Sequence, residues 1–266
     1  MTPKTPCMSM NPESGPKTSP AQKRPQKHRF AIVIPVYNHG AALEAVISRA
    51  KGLGADIIVV NDGSTDDTAA RLRRISDISV ITHDRNAGKG AALQTGLAEA
   101  AQMADYAVTI DADGQHDPAD APDLMAAATD SGRALIVGCR TGMEQSHIRY
   151  GSRMGRRFSN FWVWVCGGPK LSDSQSGFRA YPLPGALHWG AVCNRFDFEV
   201  EILVRARRHG VAVIEVPVNV HYLPADQRIS HFRPGLDFLR NAGIFTRLLG
   251  QRFVGFLRKS ARSGGH

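Results

Sequence analysis

The sequence predicts an α/β fold: one mostly parallel sheet with helices on both faces. Three observations carry that expectation. Short β-branched runs alternate with segments of helical period. Each run ends abruptly in polar or glycine-bearing turns. No linker or internal repeat interrupts the pattern after Phe30. Strands alternating with helices imply right-handed βαβ units, and ligands of such sheets sit outside the carboxyl ends of the strands.

In chain order, residues 1–28 are rich in Pro, Lys, Ser and Thr and poor in branched apolar residues. Such a segment cannot bury enough surface to fold, so a disordered basic tail is expected. Phe30 to Val36 reads as a buried strand, and Leu43, Val46, Ile47 and Ala50 then recur at helical spacing. Asp56 to Val60 is a second strand. Ser64 with Asp67 after it carries the signature of a helix N-cap. Ser79 to Ile81 is a short third strand, and Asn86 to Gly90 opens an Ala-rich helix running to about Ala104. Ala107 to Ile110 is a fourth strand, followed by Asp117-Pro118 at a helix start, and Ala134 to Val137 is a fifth. A helix from about Glu199 to His209 turns Ile202, Leu203 and Ala206 inward and stops at Gly210.

Composition limits the function classes. The 266 residues are 42% hydrophobic, and 33 Lys and Arg against 24 Asp and Glu leave a formal charge of +9. That excess suits phosphate-bearing ligands, anionic membranes or nucleic acid without choosing among them. No stacking aromatics are interleaved with the basic residues, so nucleic acid is not expected. The four cysteines lie far apart, without metal-ligand spacing, as expected of free thiols in a reducing compartment. The N-terminus has no apolar core of a secretory signal, and Phe161 to Cys166, the longest uncharged apolar run, is too short to span a bilayer. A cytoplasmic protein, possibly peripheral on the inner face of the membrane, is expected.

The chemistry collects at strand ends. Asp111 and Asp113 stand two apart where the fourth strand opens into a turn. They can aim at one hard cation, Mg²⁺ or Mn²⁺, or serve as ordinary turn residues. Gly88 and Gly90 flank Lys89 in a turn that either brings backbone N–H groups to a phosphate or simply starts a helix. It is neither a Walker A motif nor a dinucleotide fingerprint.

Together, Ile34-Pro-Val-Tyr-Asn38, Val59-Val-Asn-Asp-Gly-Ser-Thr-Asp66, Asn86-Ala-Gly-Lys-Gly90 and Asp111-Ala-Asp113 resemble the family 2 glycosyltransferases in order and spacing, over roughly residues 30–235. Asp173 to Arg179 and Phe196 to Val204 look like that family's acceptor-side half. The resemblance implies a GT-A fold and a nucleotide-sugar donor, UDP- or GDP-linked. It places Pro35, Tyr37, Asn38 and Asp62 at base and ribose and Lys89 near the nucleotide. Asp113 and Gln115 would meet the cation, with Asp111 beside them. A hydroxyl acceptor needs a base opposite the leaving group. The family's acidic motif maps this base to Glu199, with Asp197 second, although acids in a first helical turn also favour the helix dipole.

The segment around Asp111 also resembles the dolichol-phosphate mannose synthase branch, whose phosphate acceptor needs no base. Its acceptor clamp maps to Arg140, with Arg149 or Ser152 less securely aligned; Arg140 can equally be a strand-end surface residue. His231 is either a late cation ligand or a loop histidine. With the Arg-rich tail, Ser230-His-Phe-Arg233 resembles glycosyltransferases of bacterial aryl-polyene clusters.

The expected organisation is thus a tail over 1–28, a GT-A domain over 29–233 and a basic amphipathic tail over 234–266. On that last tail Phe238, Phe245, Leu249, Phe253 and Phe256 share one face and Arg233, Arg240, Arg247 and Arg258 the other. It either lies on an anionic membrane or packs on the domain. The expected reaction is inverting transfer of a sugar to a lipid-linked or amphiphilic acceptor, with polyprenyl phosphate as the alternative. A nucleotidyltransferase or a non-catalytic nucleotide-sugar binding module accounts for fewer of the motifs.

Overall fold

A computed structural model describes residues 28–141, 150–220 and 242–254. Among them a seven-stranded sheet has the order β3-β2-β1-β4-β6-β5-β7. Its strands are β1 (Phe30–Val36), β2 (Asp56–Asn61), β3 (Ser79–Thr82), β4 (Tyr106–Thr109), β5 (Leu135–Arg140), β6 (Arg179–Pro182) and β7 (Val213–Val218). The helices are α1 (Gly40–Lys51), α2 (Thr68–Leu72), α3 (Lys89–Ala100), α4 (Ala121–Ser131), α5 (Tyr150–Val165) and α6 (Asp197–Arg208). Residues 242–254 form a further, C-terminal helix. No helix among the described residues is long and apolar enough to cross a membrane.

Strands β1, β2 and β4 are apolar and almost wholly buried because both faces of the sheet are covered there. Side chains alternate across a strand, so Ala31, Val33, Ile58 and Val60 join one core, and Ile32, Ile34, Ile57 and Val59 join the other. The first core is closed by α3, α5, α6 and the C-terminal helix, and the second by α1 and α4. At Gly96 the helix α3 lies so close to β1 that a Cβ would run into the Val33 side chain.

The first half follows the expected βαβ pattern, with β1 parallel to β2 and β4, and β2 to β3. The second half departs from it. Strand β6 runs antiparallel to both β4 and β5, while β7 returns parallel to β5. The sheet is therefore mixed on one side. Ser64 is not a helix cap either: its hydroxyl accepts from Asn38 N–H at 3.0 Å, and α2 begins at Thr68, whose N–H is taken by Asp66. Ser64 ties the ends of β1 and β2 together instead.

In the C-terminal helix Ile244, Phe245 and Leu248 are buried, and the Phe245 ring stacks on Trp162 of α5 at 5.9 Å. Arg247 reaches the buried carboxylate of Glu201 at 2.9 Å, and Arg208 donates to the Leu248 carbonyl. For Phe245 the packing alternative holds, because the domain offers it a core. Phe253 stays exposed. Phe238, Phe256, Arg233, Arg240 and Arg258 lie outside the described residues, as does the tail over 1–27.

Candidate active site

The first half supplies a braced rim at the carboxyl ends of β1 and β2. Asn38, at φ +53°, accepts through Oδ1 from Thr65 N–H at 2.8 Å and donates through Nδ2 to Thr65 Oγ1. Asp62 is buried, and its carboxylate accepts from Ala87 N–H at 2.9 Å, Gly88 N–H at 2.7 Å and His83 Nδ1 at 2.8 Å. Because a carboxylate only accepts, Nδ1 of a neutral His83 carries the proton and Nε2 accepts from Thr95 Oγ1. Asp62 thus fixes the turn that starts α3. Gly88 N–H is spent on it, so the turn is not an open phosphate cradle, and Lys89 is what this segment presents. Pro35 is buried within β1 opposite Val60, so its ring offers a ligand no surface. Tyr37, by contrast, stands half-buried at the strand end.

Lys89, Asp111 and Glu199 come together although they lie far apart in sequence. The ammonium sits 2.7 Å from Asp111 Oδ1 and 2.8 Å from Glu199 Oε1. Gly177 makes this convergence possible: a Cβ there would fall 2.6 Å from Asp111 Oδ2, 2.7 Å from Lys89 Nζ and 2.8 Å from Glu199 Oε1. The Gly177 backbone is held directly and through its neighbours: Thr109 Oγ1 donates to its carbonyl at 2.6 Å, and the fully buried Arg179 donates to the carbonyls of Ser174, Ser176 and Glu199. Arg179 therefore pins the loop over residues 174–177 to the start of α6.

Electrostatics follow from this crowding. Burial alone would lower the Lys89 ammonium, but the charges of Asp111 and Glu199 outweigh it and push its pKa up. Burial likewise favours a neutral Asp111, yet Lys89 holds that carboxyl below the usual range. Asp113 forms no ion pair among the described residues. Burial and the negative charge of Asp111 push it up, while Gln115 donates to it through N–H at 3.0 Å and Nε2 at 2.7 Å. Gln115 is thus a clamp on Asp113.

Whether these residues suit a divalent cation can be judged from the charges. Lys89 bridges Asp111 and Glu199, while Asp113 is raised by burial and by the charge of Asp111 against the weaker pull of Lys89 and His39. Hard carboxylate oxygens fit Mg²⁺ or Mn²⁺. No group of three or more His, Cys, Asp or Glu is arranged as a closed metal site among the described residues. The remaining coordination would fall to phosphate and water, as is usual for Mg²⁺.

On the other side, the Arg140 guanidinium is gripped by Asp173 through Nε at 2.6 Å and Nη2 at 2.8 Å. Asp173 is fully buried, and Arg140 holds its carboxyl below the usual range against the opposing effect of burial. Arg140 is not a loose surface residue; its charge bears on Asp111 and His116. Asp197, the first residue of α6, accepts from Arg195 N–H at 3.1 Å in the turn that leads into the helix. Glu201 is buried and holds Val192 N–H, Cys193 N–H, Arg205 and Arg247. Of the three acids, only Glu199 faces the site. His231 and the Ser152 side chain lie outside the described residues, as does Arg149.

Sequence reasoning passed over His116. It is buried beneath the site, its ring 5.3 Å from Phe178, and its Nδ1 finds no hydrogen-bond partner. Its place directly after Gln115 was the one available signal. Burial pushes the imidazole down to about 4. An unfolded histidine titrates near 6.5, so between those values the unfolded chain binds more protons and stability falls as pH falls. From pH 7 to pH 5 this group should remove about 2 kcal/mol. Urea unfolding of wild type and His116→Gln at both pH values measures it. The variant should lose clearly less; equal losses would contradict the assignment.

The family described as "Glycosyl transferase family 2" matches residues 31–183. A UDP-N-acetylglucosamine–dolichyl-phosphate N-acetylglucosaminyltransferase of Methanococcus voltae is 29% identical over 213 residues, 72% of this chain and 85% of that protein. A polyprenol monophosphomannose synthase of Mycolicibacterium smegmatis is 28% identical over 220 residues, 77% of this chain and 82% of that one. Among solved structures, glucosyl-3-phosphoglycerate synthase of Mycobacterium tuberculosis, in complex with Mn²⁺, UDP and glucosyl-3-phosphoglycerate, superposes at TM-score 0.58 with 24% identity, covering 84% of this chain and 77% of that one. It shares the fold.

Proposed function

The chain belongs to glycosyl transferase family 2, and on that premise we propose that it is a metal-dependent, inverting enzyme moving a sugar from a nucleotide-sugar donor to a lipid-linked acceptor. The observation that carries the reading is the meeting of Lys89, Asp111 and Glu199 at one point, with Asp113 next to them and raised by burial and by Asp111. Asp111 and Asp113 would hold the divalent cation, Mg²⁺ or Mn²⁺, with Gln115 keeping Asp113 in place. When bound, the cation supplies charge compensation for the departing diphosphate. Lys89 adds a second positive charge on the same side. Tyr37 and Asn38 form the rim for base and ribose, and Asp62 acts by fixing the turn from which Lys89 projects.

Glu199 is the base of the proposal. A donor phosphate competing for Lys89 would free its carboxylate to take the proton of an acceptor hydroxyl. A second reading, transfer to a polyprenyl phosphate, is favoured by the Arg140 guanidinium that Asp173 locks in place. The archaeal and mycobacterial relatives act on dolichyl and polyprenyl phosphates by name, which supports a lipid-borne acceptor in either reading. The test is nucleotide release from UDP- and GDP-sugars with Mn²⁺ or Mg²⁺, with and without lipid acceptors. Cation-dependent release from one donor, stimulated by a lipid acceptor, is the expected result; no release from any donor contradicts the proposal.

A further inference from the structure

Helix α5 is amphipathic in an unusual sense. Its inward face buries Ser159, Val163 and Cys166. Its outward face shows Met154, Phe161 and Trp164, which are 52%, 53% and 47% exposed and share one stripe at helical spacing. Large apolar side chains grouped on a surface mark an interaction site. The helix itself carries no acid, and Arg157 is exposed beside the stripe. Lys170 Nζ lies over the Trp164 ring at 5.3 Å from its centroid.

We propose that this stripe, with Arg157 and Lys170 at its edge, is a docking face for an anionic lipid bilayer. Aromatic side chains seat at headgroup depth while neighbouring Lys and Arg meet lipid phosphates, the pattern of helices lying in a membrane interface. Two copies of the chain joined through this face would oppose like charges, which disfavours a dimer there. The inward face of α5 is also wired to the site. Asn160 bonds both Ser172 O and Ser174 N–H, and Ser159 meets Ser174, so α5 grips the segment carrying Asp173, the partner of Arg140. A bilayer under α5 would therefore lie against the acceptor side of the sheet. The docking stands apart from the transferase chemistry; only the identity of a lipid-borne acceptor rests on that reading.

The test is co-sedimentation of the full chain with vesicles of phosphatidylcholine alone or mixed with phosphatidylglycerol. The wild type should partition to the anionic vesicles. Phe161→Ser/Trp164→Ser should bind at least about tenfold more weakly, as expected for removing two half-exposed aromatic anchors. Arg157→Glu/Lys170→Glu should lose the preference for anionic lipid. All four side chains point outward, and equal unfolding midpoints in urea show that the variants fold. Unchanged binding by the aromatic double variant overturns the proposal, and so does equal wild-type binding to both vesicles. A dimer that the aromatic variant breaks, without vesicle binding, also overturns it. Nucleotide-sugar binding is measured separately: its failure with vesicle binding intact counts against the transferase reading alone.

Discussion

Replacing Asp113 by Ala should reduce sugar transfer by roughly a thousandfold, as expected when the several kcal/mol of charge stabilisation that a catalytic cation supplies is removed. Asp113 forms no ion pair among the described residues, is raised by burial and by Asp111, and is clamped by Gln115. Its removal should also abolish the dependence of nucleotide affinity on Mn²⁺ or Mg²⁺. Stability should not fall, because the variant relieves a buried, repelled charge; an unfolding midpoint equal to or above that of wild type is expected. Steady-state kinetics across a cation titration checks the first expectation and urea unfolding the second. A variant that keeps wild-type turnover and cation dependence would remove Asp113 from the site.

Glu199→Gln should cost about a hundredfold to ten-thousandfold in turnover with a hydroxyl acceptor, the range for loss of a general base. Donor binding should change little, because Lys89 keeps Asp111 as its partner. The substitution also separates the two acceptor readings. A phosphate acceptor is already ionised and needs no base, so there Glu199→Gln should act within a few-fold while Arg140→Ala should be severe. A loss of donor affinity as large as the loss of turnover would make Glu199 a positioning partner of Lys89 rather than the base.

Much of the first half was legible in the sequence because β1, β2 and β4 are apolar on both faces and end in polar turns. Asp111 and Asp113 stood out for the same reason, as acids immediately after a buried strand. Their electrostatic setting did not, since Lys89, Asp111, Gly177 and Glu199 meet only through the folding of four distant segments. Strand β6 carries no apolar run: it opens with Arg179, a charge that is buried only because three carbonyls surround it. Helix α5 mixes exposed aromatics, glycine and arginine, a pattern with no clear inward stripe until its neighbours are known. The three acids of α6 read alike in sequence. Burial and partners separate them into a turn residue at Asp197, a site residue at Glu199 and a structural anchor at Glu201.

The central claim is that this site binds a nucleotide diphosphate through a divalent cation held by Asp111 and Asp113. Calorimetric titration of UDP and GDP into the protein, with Mn²⁺ and again with the cation chelated, tests it most directly. Binding of one nucleotide that is strong with Mn²⁺, weakened at least about tenfold by chelation and insensitive to chelation in Asp113→Ala is the predicted result. Equal affinity with and without the cation in the wild type would contradict it.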